Sequence, residues 1–306
     1  MANENLETII ARDNDAGPFG SRDAVKEQVL RDFIQLQSKV LAIGTDLVGT
    51  RTVPWLEFTW YTGVSGAFTY PIDDSATVGA TKIGTKNYSV QLKKGMGRVT
   101  FLDSTLLRGE TFENMNRQQL GVTQALADTI DNLILSGLHA GAGDSVAATA
   151  AFGSSTADEE KDILSAADKI FDLARVSGNE TLSVVLPAVK RSALLNTQLF
   201  GNVIQSLQDH LKGVLGMDFK YTRDDGGTAG TDSAIGVDAL VMVPGAQTAE
   251  FFQYNGAGFR ETELTRLPGV GFDWMLTGYM GMVVHEHQDG ASAGTTKRIV
   301  KITGVQ

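Results

Sequence analysis

The chain has 306 residues, 42% of them apolar and 20% charged, with no cysteine and a net charge of −10. That length makes one large domain or two ordinary ones, and the composition is that of a folded chain rather than a disordered one. It excludes a disulfide framework, a thiolate metal centre and a cysteine nucleophile, and the acidic balance disfavours a protein whose whole surface grips nucleic acid.

The opening residues Met1–Glu7 are acidic and lack an apolar run, so no signal peptide is expected, and assembly in a cytoplasm is. No stretch reaches the roughly 18 apolar residues of a membrane-spanning helix. Residues 1–20 read as an extended arm anchored by Leu6, Ile9 and Ile10 and broken by Gly17-Pro18. Ser21 can cap a helix to about Ile43, with Val25, Val29, Phe33, Leu36 and Val40 on one face.

From Thr50 the period shortens to two, with Val53, Trp55 and Tyr61 marking strands. Residues 63–102 read as a long β-hairpin whose legs include Phe68–Tyr70 and Tyr88–Leu92, with its tip near 76–86. It carries too few apolar residues to bury itself. Thr111 then caps a helix to about Ser136, with Met115, Val122, Leu126, Ile130 and Leu133 as its expected core face. At about 26 residues that helix is about 39 Å long, enough to cross the subunit.

Residues 140–157 are small and unpatterned, which predicts a loop or hinge and a domain boundary. A helix over 158–175, a buried strand over 182–186, a helix from Pro187 to about Phe200, another holding Val203, Leu207, Leu211 and Val214, and a strand over 237–243 follow. Strands over 259–267, 272–288 and 296–304 complete the chain.

Catalytic motifs fail on inspection. Gly79-Ala-Thr-Lys-Ile-Gly84-Thr85-Lys86 lacks the Gly-Lys-Ser/Thr order and the helix of a phosphate loop, and reads as a loop tip. Gly63-Val-Ser65-Gly66-Ala67 lacks the last glycine of a nucleophile elbow. His285-Glu286-His287 would place two imidazoles on one strand face, but a zinc or iron site needs further ligands. No residue is left to carry an enzyme reading, and neither cofactor nor metal is expected.

Charge is segregated. Residues 75–102 hold Lys82, Lys86, Lys93, Lys94 and Arg98 and no acid, whereas residues 158–172 hold six acids and two lysines. Such complementarity suits a basic hairpin lying on an acidic surface of a second subunit.

In this order, an extended arm, a basic hairpin, a very long helix, an α/β lobe and returning strands, the chain resembles the major capsid proteins of tailed double-stranded DNA viruses, the Hong Kong 97-like fold. Locally, Arg98-Val-Thr-Phe-Leu-Asp-Ser-Thr-Leu-Leu107 and Leu276-Thr-Gly-Tyr-Met-Gly-Met-Val-Val-His285 have the family's texture. The resemblance implies an α+β fold with an N-terminal arm (1–50), an E-loop and flanking strands (51–110), a peripheral P-domain with the spine helix (111–159 and 246–306) and an axial A-domain (160–245). It implies a non-enzymatic subunit that assembles as hexamers and pentamers around the viral genome, without sequence-specific DNA binding. Portal and scaffolding proteins are the implied partners, and the virion head the implied location. Lys82 or Lys86 could supply the lysine of the family's isopeptide crosslink, but no asparagine follows Asn255, so a non-covalent shell is expected, with room for a separate decoration protein. The rival readings are an encapsulin-like nanocompartment shell and a soluble metal-dependent enzyme built on His285 and His287.

Overall fold

The computed structural model describes residues 42–62, 86–102, 111–172, 176, 180–200, 203–222, 234–254, 259–261, 265–267, 271–285, 287–288 and 295–305. The expected arm, the helix over 21–43 and the hairpin tip lie outside these residues, except for Ala42 and the segment after it. The strands are β1 (Val48–Val53), β2 (Glu57–Thr62), β3 (Lys86–Gln91), β4 (Lys93–Leu102), β5 (Asp144–Ala147), β6 (Ser183–Leu186), β7 (Thr197–Phe200), β8 (Val203–Ser206), β9 (Asp218–Tyr221), β10 (Ala239–Met242), β11 (Gly245–Tyr254), β12 (Phe259–Glu261), β13 (Thr265–Leu267), β14 (Gly271–Val284), β15 (His287–Gln288), β16 (Thr295–Thr296) and β17 (Ile299–Thr303). The helices are α1 (Thr111–Ala140), α2 (Glu159–Phe171), α3 (Arg191–Leu195) and α4 (Leu207–Leu215).

Two sheets organise the chain. In the six-stranded sheet, β14 is central: β4 pairs along one side of it, while β11, β12 and β13 share the other, and β1 extends the sheet by pairing parallel to β11. In the five-stranded sheet the order is β5-β17-β10-β6-β9.

The 30-residue helix α1 would be about 45 Å long at 1.5 Å per residue. Among its described side chains Ala127, Ile130, Ile134, Leu135 and Leu138 are fully buried, spaced to share one face, and they join a core with Phe251 and Met280 of the six-stranded sheet. The same core takes Val185, Leu240, Met242 and Ile299 from the five-stranded sheet. The opposite face of that sheet presents Val184, Leu186, Val241, Val300 and Ile302 to Ile163, Ala166, Ala167 and Ile170 of α2. Strands buried on both faces read as unbroken apolar runs, which is why β6 and β10 show no alternation.

Close approach of α1 to β14 depends on two glycines one turn apart. A Cβ on Gly141 would lie 2.6 Å from Val284 Cγ2, and one on Gly137 would fall on the Met282 thioether. On an open helix surface Gly→Ala gains about 1 kcal/mol. Here Gly141→Ala is expected to lose about 1–3 kcal/mol, because β-branched Val284 cannot swing aside as the Met282 thioether can, and overpacking outweighs propensity. Urea unfolding measures it, and a stabilised variant would show that helix and strand do not meet there.

Three expectations are corrected. Residues 140–157 are not an open hinge: β5 pairs parallel with β17 from Val300↔Asp144 to Thr303↔Ala147, and Phe152 is buried. A segment of small residues can be ordered through its backbone, which apolar periodicity does not register. The helix expected to run to Phe200 stops at Leu195, and Val203 belongs to β8 rather than a helix; β7 and β8 form a hairpin. Finally, β9 and β11 have no counterpart among the expected elements, although β11 becomes an interior strand of the larger sheet.

Candidate assembly surfaces

The hairpin begins earlier than its sequence suggests. β2 pairs antiparallel with β3 from Glu57↔Gln91 to Thr62↔Lys86, so the first leg is 57–62, and Phe68–Tyr70 lies outside the described residues. At its base Phe58, Val90 and Leu92 pack on Phe252, Val283 and Val53. Phe58 meets Phe252 edge to face, with ring centroids 5.0 Å apart at 71°. Consecutive residues of β11 thus serve opposite faces: Phe251 packs in the core of α1, and Phe252 anchors the hairpin.

The described members of the basic set fall on two strands. Lys82 lies outside the described residues, and Lys86 opens β3. Lys93, Lys94 and Arg98 lie on β4, which is held against β14 over ten consecutive pairs, from Gly271↔Leu102 to Met280↔Lys93. Strand alternation sorts β4 into two faces. Gly95 and Gly97 turn toward the core of α1, where a Cβ on Gly97 would lie 3.3 Å from Val122 Cγ1. Lys94, Met96 and Arg98 turn the other way and are exposed, Met96 at 66%. Among the described residues β4 has one strand neighbour, β14, so it forms an edge of the sheet. The loop between β1 and β2 adds exposed Trp55 and Leu56, and the smaller lobe exposes Ile204 on β8 and Val214 on α4.

Part of the expected acidic counter-surface is engaged within the subunit, while Asp168 and Asp172 are exposed. Asp162 is buried and accepts from the Thr149 backbone N–H at 2.8 Å and from its hydroxyl at 2.7 Å. Asp158 caps α2 by accepting from Lys161 N, and Glu159 accepts from Gly153 N at 2.8 Å. Lys169 donates to Asp144 Oδ2 at 2.9 Å, and that hydrogen bond is the main reason the Asp144 carboxyl sits below its usual range.

Of the expected α1 core face, Ile130 is buried, and Val122, Leu126 and Leu133 are partly buried against the same core; the Met115 side chain lies outside the described set. An apolar search could not find the buried Asp131, which lies among these core positions. Its Oδ1 accepts from Gly44 N at 2.7 Å and its Oδ2 from Ile43 N at 3.2 Å, tying the entering chain to the helix. At the far end of α1, His139 Nε2 lies 2.8 Å from Asp238 Oδ2, while Asp238 Oδ1 accepts from Gly304 N.

The strand expected over 272–288 ends at Val284, and His287 belongs to β15. His285 is buried, with Nε2 3.6 Å from Glu250 Oε2, and Arg51 lies 3.6 Å from the other carboxylate oxygen. Burial holds the Glu250 carboxyl above its usual range, opposed by Arg51. Among the described residues no three potential ligands converge on one point. His285 is thus a buried histidine beside a carboxylate that also faces a guanidinium.

No family model and no curated protein matches the chain. Solved structures do. A phage-related protein from Bordetella bronchiseptica RB50 superposes with a TM-score of 0.60 at 14% identity, covering 90% of this chain and 96% of that one. A virus-like particle from Pyrococcus furiosus gives 0.59 at 10% identity, covering 89% and 98%. The capsid of Myoviridae phage XM1 gives 0.57 at 14% identity, covering 86% and 92%. Over most of its length, with its long helix, its two sheets and its hairpin stem, this chain has the α+β fold of phage capsid subunits.

Proposed function

We propose that the chain is the structural, non-enzymatic subunit of an icosahedral shell, the head of a tailed virus, built from hexamers and pentamers around double-stranded DNA. The observation that carries this reading is the capsid fold itself, which spans 86% of this chain and 92% of the phage XM1 capsid chain it is compared with. Two features add physical support. A hairpin and a basic strand with one described strand neighbour and an exposed methionine are liabilities for an isolated subunit, and become contacts in a shell. The acidic whole, at −10, suits a container whose DNA must move during packaging and release. Assembly in the host cytoplasm, with portal and scaffolding proteins, belongs to the same reading.

Electron microscopy of the purified protein, alone and with scaffolding and packaging partners, tests it. Closed shells of uniform diameter that retain DNA are the expected result. Dispersed monomers under every condition would overturn the proposal. Shells filled with protein cargo and no DNA would assign a nanocompartment instead.

A further inference from the structure

We propose that Glu250, with Arg51 and His285, is a proton-operated latch at the root of the hairpin: protonation of its carboxyl closes the root over Phe252 and Val283, and ionisation loosens it. The inference concerns the single subunit and stands or falls independently of the shell reading.

The geometry begins with strand alternation. Arg51 and Val53 lie two residues apart on β1, as do Glu250 and Phe252 on β11, and Val283 and the His285 that follows β14. Residues at that spacing share one face. The apolar member of every pair belongs to the cluster under Phe58, Val90 and Leu92 of the hairpin base. The polar members converge on one carboxylate. Arg51 Nη2 lies 3.6 Å from Glu250 Oε1, and His285 Nε2 lies 3.6 Å from Glu250 Oε2. An ionisable row thus runs beside the apolar row that holds the hairpin.

That carboxylate is poorly satisfied as an anion. The Glu250 side chain is 7% exposed, and Oε2 has no hydrogen bond among the described residues. The imidazole is beyond hydrogen-bond range of it. Thr248 Oγ1, two residues back on the same strand, is buried and unpartnered as well. Among the described residues, Arg51 of β1 and His285 beyond β14 are the ionisable groups beside the carboxylate, and the hairpin base contributes the apolar Phe58, Val90 and Leu92. Burial raises the Glu250 pKa against the pull of Arg51, as expected of a desolvated charge.

Protonation supplies what is missing. A carboxylic acid is a donor, and an unprotonated imidazole Nε2 is an acceptor. The His285 backbone is fixed, since its N–H donates to Thr248 O at 2.9 Å. A small movement of the Glu250 side chain then turns the 3.6 Å separation into an O–H···N hydrogen bond. The proton comes from solvent and stays on the carboxyl. Phe252 and Val283 are left beside a neutral pair, which favours closure of the hairpin base. Because the folded-state pKa lies above the unfolded value, this stability is fully present below the ordinary glutamate range and is lost as pH rises through the raised value.

E250Q, which imitates the protonated form, tests the latch in the full-length protein. Its urea midpoint should lie above the parent's at about pH 8, and the gap should close as pH falls toward about 4. Amide exchange in β2 and β3, compared at one pH of about 7.5, should slow roughly threefold or more in E250Q, with β6 and β10 unchanged. R51Q should lower the parent's midpoint at about pH 8 and leave that of E250Q where it was, because the guanidinium acts on the charge. Carbon NMR of the parent's carboxyl groups reads the same proton directly: Glu250 should titrate above the ordinary glutamate range.

An E250Q midpoint at or below the parent's at about pH 8, or a gap that does not change with pH, would overturn the inference. So would unchanged exchange in β2 and β3, or a Glu250 that titrates at or below the ordinary range.

Discussion

Phe252→Ala is expected to cost about 3–5 kcal/mol of unfolding free energy, among the largest effects of any single truncation in the chain. Phe252 has no exposed surface, and its ring stacks edge to face with Phe58 among Val53, Val90, Leu92 and Val283. Removing it opens a cavity between the six-stranded sheet and the base of the hairpin. The loss should concentrate there. Hydrogen exchange should accelerate in β2 and β3 before it does in α1, because Phe251 still holds the other face. Equilibrium urea unfolding gives the total. A cost below about 1 kcal/mol would mean that the hairpin base does not cover this face.

Asp131→Ala should cost about 2–5 kcal/mol by a different route. Both carboxylate oxygens accept from backbone N–H groups, of Ile43 and Gly44, and the alanine variant leaves those donors without their charged acceptor in a region where Gly44, Ile134 and Leu47 are all buried. Space is tight: a Cβ on Gly44 would lie 3.0 Å from Ile134 Cβ, so little room exists for water to replace the carboxylate. Asp131→Asn keeps one acceptor and should lose less. The variant tests more than stability, because this anchor fixes where the N-terminal segment leaves the subunit. If Asp131→Ala unfolds like the parent, the entering chain is held by something other than this carboxylate.

Both predictions show how the shell reading divides the molecule. The rigid parts are the helix α1, pinned by Asp131 near its middle and His139 at its end, and the two sheets that share its core. Among the described residues the hairpin is rooted at Phe58 and Leu92, and the N-terminal segment at Ala42.

What the amino-acid sequence determined by itself was whatever depends on local periodicity and element order. The 3.6-residue pattern marks α1 and α2, Leu182–Leu186 followed by Pro187 marks the strand-to-helix transition, and the succession of hairpin, long helix, lobe and returning strands resembles the capsid fold that the solved structures share. Ile130 was legible as core for the same reason. Pairing over long separations is set by the folded chain instead. β5 joins β17 across about 150 residues of chain, through backbone hydrogen bonds that small side chains do not announce. β4 leaves the hairpin to dock on β14, because its alternating glycines let α1 approach, and so the basic residues are divided between two places. Asp131 and Asp162 are polar in sequence and buried in the fold, because each meets backbone donors supplied from elsewhere in the chain. Charge counted along a sequence cannot tell a carboxylate that faces solvent from one already satisfied inside.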